Sequence, residues 1–408
     1  MQNTEVHRIL IVADAFGRPS YAPRLRSVCD YLVQCGWHIE VYTEQFVPLD
    51  FAHNYPIYEY KFYRNHTWDW MLKTVYSLLT DWKNRRFAKW LLNVTRDKQF
   101  DIVFCTTFST FPLRAALTVA KAKHLPLHVD LRDIDEQAPN SQYQAHRQWW
   151  ARPFRKLYRA INILRRNAVV RQAQSVSTVS PWHVDFLRPL NDHVHLIYNG
   201  YDNRLFMPAD VPTESFHILY SGRIYETELQ DPELFVQAVS TMPSMEHFSI
   251  DWYTDERGKK TIQRLAAQYN CEPIMRYYDY VPPKDVPQLL HHSGIALVLS
   301  HKAGKNGPHG IMTTKFFEAL GVEKPVLCVP SDEGCLAAVI QETNAGIAAR
   351  NVKEVKAFIL DKYAEWQKNG FTRQAVNQEK KRLFTRQHQA QQFEKLFLEH
   401  IQKSIFYD

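Results

Sequence analysis

The stretch HGIMTTKFFEALGVEKPVLCVP, residues 309–330, sets small and polar residues and one lysine, Lys315, ahead of a helical spacing of apolar side chains. It closes on a short apolar run that reads as a buried strand. A second apolar run, GIALVLS (294–300), precedes it. Strand, polar loop, helix and strand in that order predict a parallel βαβ unit. The same rhythm extends outward. FHILYSGRI (216–224), HFSIDWYT (247–254) and PIMRYYDYV (273–281) read as further strands. Between them, DPELFVQAVSTM (231–242) reads as a helix with Asp231 as N-cap and Pro232 at its first position. Towards the N-terminus, RILIVADAF (8–16), HIEVYTE (38–44), DIVFCTT (101–107), LPLHVDLRD (125–133), QSVSTVS (174–180) and HVHLIYNGYD (193–202) alternate with helical patterns at 23–37 and 113–123. Pro181 opens another helix. The expected fold class is α/β, two Rossmann-like doubly wound halves. The polar, proline-bearing segment NRLFMPADVPTES (203–215) is the expected linker, giving domains 1–205 and 206–385. From about Val352 to the end the pattern predicts helix throughout.

A chain of 408 residues exceeds what one core usually organises, so two domains agree with its length. Its six cysteines, Cys29, Cys35, Cys105, Cys271, Cys328 and Cys335, form no C-x-x-C pair and read as buried free thiols rather than a zinc or redox site. The N-terminus reads as lacking a charged leader with an apolar run. No apolar stretch has the length of a membrane span. The expected location is cytoplasmic. The net charge of +7 is uneven: residues 1–205 hold 27 basic and 18 acidic side chains, the remainder 23 and 25.

Ligands of open parallel sheets bind beyond the carboxyl ends of the strands. Polar residues stand at those ends: Gly17, the cluster Asp130, Arg132, Asp133, Asp135 and Glu136, then Gly222-Arg223, and the segment Gly310-Ile311-Met312-Thr313-Thr314-Lys315. A helix that starts near Thr314 presents unpaired amides and a positive dipole end, which suit a phosphate. The threonine hydroxyls and Lys315 add donors and charge. Glu318, one turn on, is placed to accept from hydroxyls such as those of a ribose. Against this, Thr313 as a plain N-cap with a surface Lys315–Glu318 pair explains the same residues. Gly222 allows close backbone approach, and Arg223 carries a phosphate-binding fork, although a turn glycine with a solvated arginine is the commoner meaning of that pair. The acids after LPLHV bind sugar hydroxyls or assist proton transfer, or else form an ion-pair network that fixes a loop. No metal site is expected.

RILIVAD, HVDLRD, STVSPW, IYNGYDNRLF, YSGRIY with DPELFVQAV, and GIMTTKFFEALGVEKPVLCVP together resemble, in that order and over nearly the whole chain, glycosyltransferase family 4, in particular members acting in bacterial surface-polysaccharide synthesis. The resemblance implies a GT-B fold: two Rossmann-like domains facing across a cleft, the second holding the donor. The final helix, about 386–408, would return to the first domain. It implies sugar transfer from a nucleotide diphosphate with retention of configuration, without metal or other cofactor, to a glycan or lipid-linked acceptor. Arg223 and Lys315 would neutralise the leaving diphosphate. Amides near Thr313 and Thr314 would complete the cradle, and Glu318 would bind the ribose. Gly17 would approach the donor phosphates or acceptor, and the acidic loop with Asp133 would face the transferred sugar. Two departures stand out. Gly310 occupies the place, eight residues before Glu318, where the family often has a glutamate against the donor sugar. Glu226 and Glu228 follow Gly222-Arg223 where a lysine is common, leaving Lys315, Lys302 or Lys305 to supply that charge. A nucleotide-sugar epimerase of the same architecture and a non-catalytic glycan- or partner-binding relative are the alternatives.

From Arg147 to Arg171 there are eight Arg or Lys and no acid, interleaved with Trp149, Trp150, Phe154, Leu157, Tyr158, Ile161 and Leu164. Such an amphipathic basic helix suits an anionic membrane surface, here the inner face of the cell membrane. The segment from Tyr58 to Leu92 has the same character. No nucleic-acid module accompanies the charge, so nucleic acid is not an expected partner.

Overall fold

The computed structural model describes residues 6–14, 16, 23–45, 49, 51–63, 76–108, 110–138, 155–224, 229–304 and 307–405. Two compact units divide the chain. Unit 1 is Met1–Asp135, Ala145–Tyr198 and Arg386–Asp408; unit 2 is Glu136–Gln144 and Asn199–Thr385.

Unit 1 contains a seven-stranded sheet: β1 (Arg8–Ala13), β2 (His38–Glu44), β3 (Ile57–Tyr60), β4 (Ile102–Thr107), β5 (Leu127–Leu131), β6 (Ser175–Thr178) and β7 (Val194–Leu196), in the order β3-β2-β1-β4-β5-β6-β7. Each neighbouring pair is parallel. Strands β4 and β5 are buried along their whole length, and the polar side chains they carry, Thr106, Thr107, His128 and Asp130, are hydrogen-bonded inside the fold. Period-two alternation sorts β1 between two cores. Leu10 and Val12 pack with Leu113, Ala116 and Val119 of the helix Leu113–Ala122. Ile9 and Ile11 pack with Leu25, Val28 and Leu32 of the helix Pro23–Gln34, and with Phe393 and Phe397 of the final helix, Arg386–Ile405. Glu394 of that last helix accepts from Tyr31 Oη at 2.8 Å and Trp37 Nε1 at 3.0 Å.

Unit 2 repeats the plan with β8 (Phe216–Ser221), β9 (Phe248–Tyr253), β10 (Met275–Tyr278), β11 (Ile295–Leu299), β12 (Val326–Val329) and β13 (Gly346–Ala348), in the order β10-β9-β8-β11-β12-β13. Its pairs are also parallel. In both units the first strand lies between strands wound in opposite directions. The switch points are therefore β1/β4 and β8/β11.

Several details differ from the sequence reading. Tyr58–Tyr60, expected to belong to a helical basic segment, instead lie in edge strand β3 beside β2. Tyr58 there stacks on Tyr42 at 4.9 Å, and cross-strand aromatic packing outweighs the helical spacing. The C-terminal stretch is not helical throughout. Gly370, at φ 77°, ends the helix Val352–Asn369, and 370–377 is irregular. That segment is held by Gln374 N donating to Glu323 O at 2.9 Å and Asn377 N to Thr343 O at 2.8 Å. The expected linker 203–215 packs within unit 2: Phe206 is buried, Met207 O accepts from His291 Nε2 at 2.8 Å, and Thr213 N donates to Gly370 O. The helix begins at Glu233, so its N-cap is Pro232 rather than the expected Asp231, although Asp231 Oδ1 still accepts from Glu233 N at 3.0 Å. Cys35 is exposed and Cys335 half-buried; the other four thiols are buried.

Two buried histidines of unit 1 couple its stability to pH. His128 lies between Ser175 Oγ (2.6 Å) and Ser177 Oγ (3.0 Å), and His183 meets Thr178 Oγ1 at 2.9 Å. Burial drives His128 well below the usual imidazole range and His183 down to about 3. Their folded pKa values lie below those of the unfolded chain, so on acidification the unfolded chain takes the protons first. Stability is then lost as pH falls below about 6.5, by about 1.4 kcal/mol per pH unit for each histidine. Urea unfolding of unit 1 at pH 7, 6 and 5 should show this slope, and His183→Gln should reduce it by the share of one proton.

Candidate functional site

The β8/β11 switch point of unit 2 gathers most of the phosphate-binding candidates. Strand β8 ends in Ser221, and Gly222 follows with φ +143° and its N–H donating to Tyr253 O at 2.9 Å. The Lys315 side chain lies across Gly222: a Cβ on that glycine would stand 2.1 Å from Lys315 Cε and 2.7 Å from Nζ. Two separate sequence motifs thus meet in space, and glycine is required by both backbone angle and close approach. Tyr220, fully buried, carries Lys315 Nζ 5.6 Å from its ring centroid and donates its hydroxyl to Arg223 O at 3.0 Å. Lys315 is half-buried. Burial lowers its pKa, and the Glu318 carboxylate opposes that. A desolvated ammonium of this kind gains from a second anion.

The helix that carries Lys315 and Glu318 runs Thr314–Gly321 and is anchored by buried Phe316, Phe317 and Leu320. Thr313 is its extended N-cap residue, yet its side chain makes no capping bond. The plain N-cap alternative therefore lacks its hydrogen bond. Gly310 is buried at φ 64°, Ile311 is half-buried, and Thr314 is exposed. His309 N donates to Gln137 O at 2.7 Å. Arg223 is exposed, 3.9 Å from Asp255 Oδ2, with its guanidinium 5.8 Å from the Tyr280 ring centroid. At 3.9 Å the arginine is loosely held. Lys302 is engaged elsewhere, 3.1 Å from Asp231 and 3.8 Å from Glu233. Gly17, Glu226, Glu228 and Lys305 lie outside the described residues.

In unit 1 the acidic cluster divides. Asp130, 1% exposed, is fully used inside the fold: Oδ1 accepts from Arg24 Nη2 at 2.9 Å and Ser177 Oγ at 2.7 Å, and Oδ2 from Thr106 Oγ1 at 3.0 Å. Arg24 also donates to Ile197 O at 2.7 Å and to Tyr198 O. For Asp130 the loop-fixing network, rather than sugar binding, accounts for every bond. Arg132 is buried, reaches Asp14 Oδ1 at 3.3 Å, and stacks 3.4 Å from the Phe108 ring centroid. Asp133 is half-buried next to that arginine, and Asp135 opens a 3-10 turn with its carbonyl accepting from Arg159.

Sequence reasoning missed Asp14. It follows β1, and its Oδ2 accepts from Thr107 Oγ1 and Phe108 N, each at 3.1 Å, across the β1/β4 switch point. The signal was present: Asp14 directly follows the apolar run of β1, as His301 nearly follows that of β11. Among the described residues no group of three His, Cys, Asp or Glu is placed to hold a metal ion.

The Gly222–Lys315 contact gives a direct expectation. Gly222→Ala must displace the lysine and strain the backbone, so nucleoside diphosphate affinity should fall about tenfold or more. In the Gly222→Ala/Lys315→Ala double variant the losses should not add, which calorimetry would read as a coupling.

Comparisons with known proteins agree with this architecture. Residues 21–200 match the glycosyl transferase 4-like domain family. Sucrose-phosphate synthase from Thermosynechococcus elongatus shares 14% identity, covers 96% of this chain and 99% of its own, and superposes at TM-score 0.66. Anabaena HepE in complex with UDP and glucose shares 14%, with 96% and 100% covered and TM-score 0.64. A putative UDP-N-acetylglucosamine 2-epimerase from Listeria monocytogenes shares 12%, with 98% of each chain covered and TM-score 0.60. No curated protein sequence matches the chain.

Proposed function

We propose that the chain, which has the two-domain GT-B fold and matches the glycosyl transferase 4-like domain over residues 21–200, is a family 4 glycosyltransferase that transfers a sugar, with retention, from a nucleotide diphosphate donor to a glycan or lipid-linked acceptor of cell-surface polysaccharide synthesis. The observation that carries this reading is the placement of Lys315 over Gly222, beside Arg223, at the switch point of unit 2. In the reaction the bond between the anomeric carbon and the diphosphate oxygen breaks. The acceptor hydroxyl oxygen bonds that carbon on the same face, and its proton passes to the departing phosphate. Negative charge grows on the diphosphate, so preorganised positive groups lower the barrier without a dedicated nucleophile. Lys315 and Arg223 supply charge, the amides after Thr313 supply donors, and Glu318 takes the ribose hydroxyls. The chemistry proposed for these residues needs no metal. Gly17 and Asp133 are assigned to donor or acceptor contact, Arg132 to the acceptor, and Asp130 and Asp135 to holding that loop. The UDP complex of HepE supports a nucleotide diphosphate as ligand.

The test is turnover of nucleotide sugars with and without a glycan acceptor, with the product's anomeric configuration read by NMR. Release of nucleoside diphosphate only with acceptor, and a retained configuration, are expected. Sugar interconversion without acceptor would favour an epimerase, the second reading, which the fold shared with the putative Listeria epimerase supports.

No described helix is long and apolar enough to cross a membrane. A surface role for the basic region is nonetheless supported within unit 1, although 147–154 lie outside the described residues. On the helix Arg155–Val170, Leu157 is 54% and Leu164 67% exposed. Arg165 of this helix donates to Ser77 O at 3.2 Å and Leu78 O at 2.6 Å, beside Leu79 (72% exposed) and Tyr76. Exposed leucines among cations fit the interface of an anionic bilayer. Leu157→Ser/Leu164→Ser should weaken co-sedimentation with phosphatidylglycerol-containing vesicles about tenfold, while transfer to a soluble acceptor stays unchanged.

A further inference from the structure

His301 stands two residues beyond β11, at the β8/β11 switch point, and is 2% exposed. Its neighbour Ser300 is fixed on both sides: Ser300 N donates to Val329 O at 3.1 Å, and Ser300 O accepts from Asp231 N at 2.7 Å. The ring itself is fixed through Nδ1, which lies 3.1 Å from Lys302 O. A carbonyl only accepts, so Nδ1 carries the hydrogen. Burial, the largest influence, lowers its pKa with help from His309, against the pull of the Lys302 carbonyl and of Asp332. The ring is therefore neutral, and Nε2 is left as a bare acceptor. Among the described residues Nε2 has no hydrogen-bond partner. Buried acceptors are nearly always satisfied, and an orphan at a ligand crevice points to a donor on the ligand.

That chemistry bears on Gly310. The resemblance to family 4 expects an acceptor side chain there, against the donor sugar, and glycine supplies none. We propose that His301 Nε2 accepts a hydrogen bond from a hydroxyl of the transferred sugar, so that an acceptor from the end of β11 replaces the missing one at Gly310. The ligand class is a hydroxyl-bearing sugar joined to the nucleoside diphosphate that Lys315 binds, and the inference rests on the donor-site reading above. His301 is a specificity residue: it discriminates the sugar and leaves the nucleotide alone.

The experiment compares calorimetric binding of a nucleoside diphosphate with that of its nucleotide sugar, on wild type, His301→Leu and His301→Gln, with thermal melting as a check of folding. UDP with UDP-glucose and GDP with GDP-mannose are the probes. The expected result has three parts. His301→Leu binds the diphosphate within about twofold of wild type. It binds the nucleotide sugar about tenfold more weakly, the loss of one hydrogen bond to the ligand. His301→Gln, which keeps an acceptor at similar reach, recovers most of that loss. Equal nucleotide-sugar affinity in all three proteins would overturn the inference and make His301 a structural residue. If His301→Leu melts early, His301→Phe, which keeps a ring but no acceptor, takes its place: nucleotide-sugar affinity lowered about tenfold with diphosphate affinity unchanged supports the inference, and wild-type nucleotide-sugar affinity contradicts it. Failure of wild type to bind any diphosphate is a separate result, and sinks the donor-site reading itself.

Discussion

Lys315→Ala is expected to lower the transfer rate by at least about 100-fold while the protein stays folded. The reason is local. The lysine's Nζ lies 5.6 Å from the Tyr220 ring centroid, and its aliphatic chain crosses Gly222, the residue before the exposed Arg223. Lys302, the other described lysine considered for this charge, is paired with Asp231. Removing one fixed donor from a leaving-group site typically costs about 10²–10³ in rate. Lys315→Arg should not rescue, since a planar guanidinium does not fit the space over Gly222. Steady-state kinetics with the preferred donor would check this. A variant with near-normal kcat and kcat/KM would mean that the leaving-group charge is met elsewhere.

The second large effect concerns stability. Asp130→Ala should lower the melting temperature of unit 1 by roughly 10 °C. The substitution strands Arg24, which is 5% exposed and 2.9 Å from the carboxylate, and removes the acceptor for Thr106 and Ser177. Breaking a buried pair by removing one partner costs about 3–5 kcal/mol, and each kcal/mol shifts the transition of a domain this size by about 2–4 °C. Asp130→Asn, which keeps an acceptor oxygen, should lose less. A sugar-binding Asp130 would behave differently: KM for the acceptor would rise with little change in melting. Differential scanning calorimetry separates the two outcomes.

These two residues show how far the sequence could be read. The sheets were legible because strands buried on both faces must be apolar runs, and short loops with regular helices between them leave few topologies. Strand β3 was not, since its tyrosines owe their place to stacking against β2 rather than to local spacing. The meeting of Lys315 and Gly222, proposed here as an anion cradle, was legible because Lys315 sits at a helix start and Gly222 at a strand end, and both positions have a meaning that sequence carries. The acidic loop was less so. Asp130 and Asp133 look alike in the sequence, yet Asp130 lies on the strand and is absorbed by Arg24 from a helix over a hundred residues earlier. Pairings of that separation leave no local pattern. Asp14 and His301 were readable by position alone, and were passed over because a single polar residue after a strand carries no motif. The final helix shows the same limit: Phe393 and Phe397 are recognisably apolar, but only the fold reveals Phe104 as their partner.

The most direct measurement for the central claim is calorimetric titration of wild type and Lys315→Ala with UDP, GDP, ADP, CMP and dTDP. The account predicts that one diphosphate binds the wild type in the micromolar range and that the variant loses this binding by tenfold or more. That result would place the leaving-group site over Gly222 and name the donor base. Absence of binding at millimolar nucleotide, or equal binding by both proteins, would contradict the assignment of the β8/β11 crevice as the donor site.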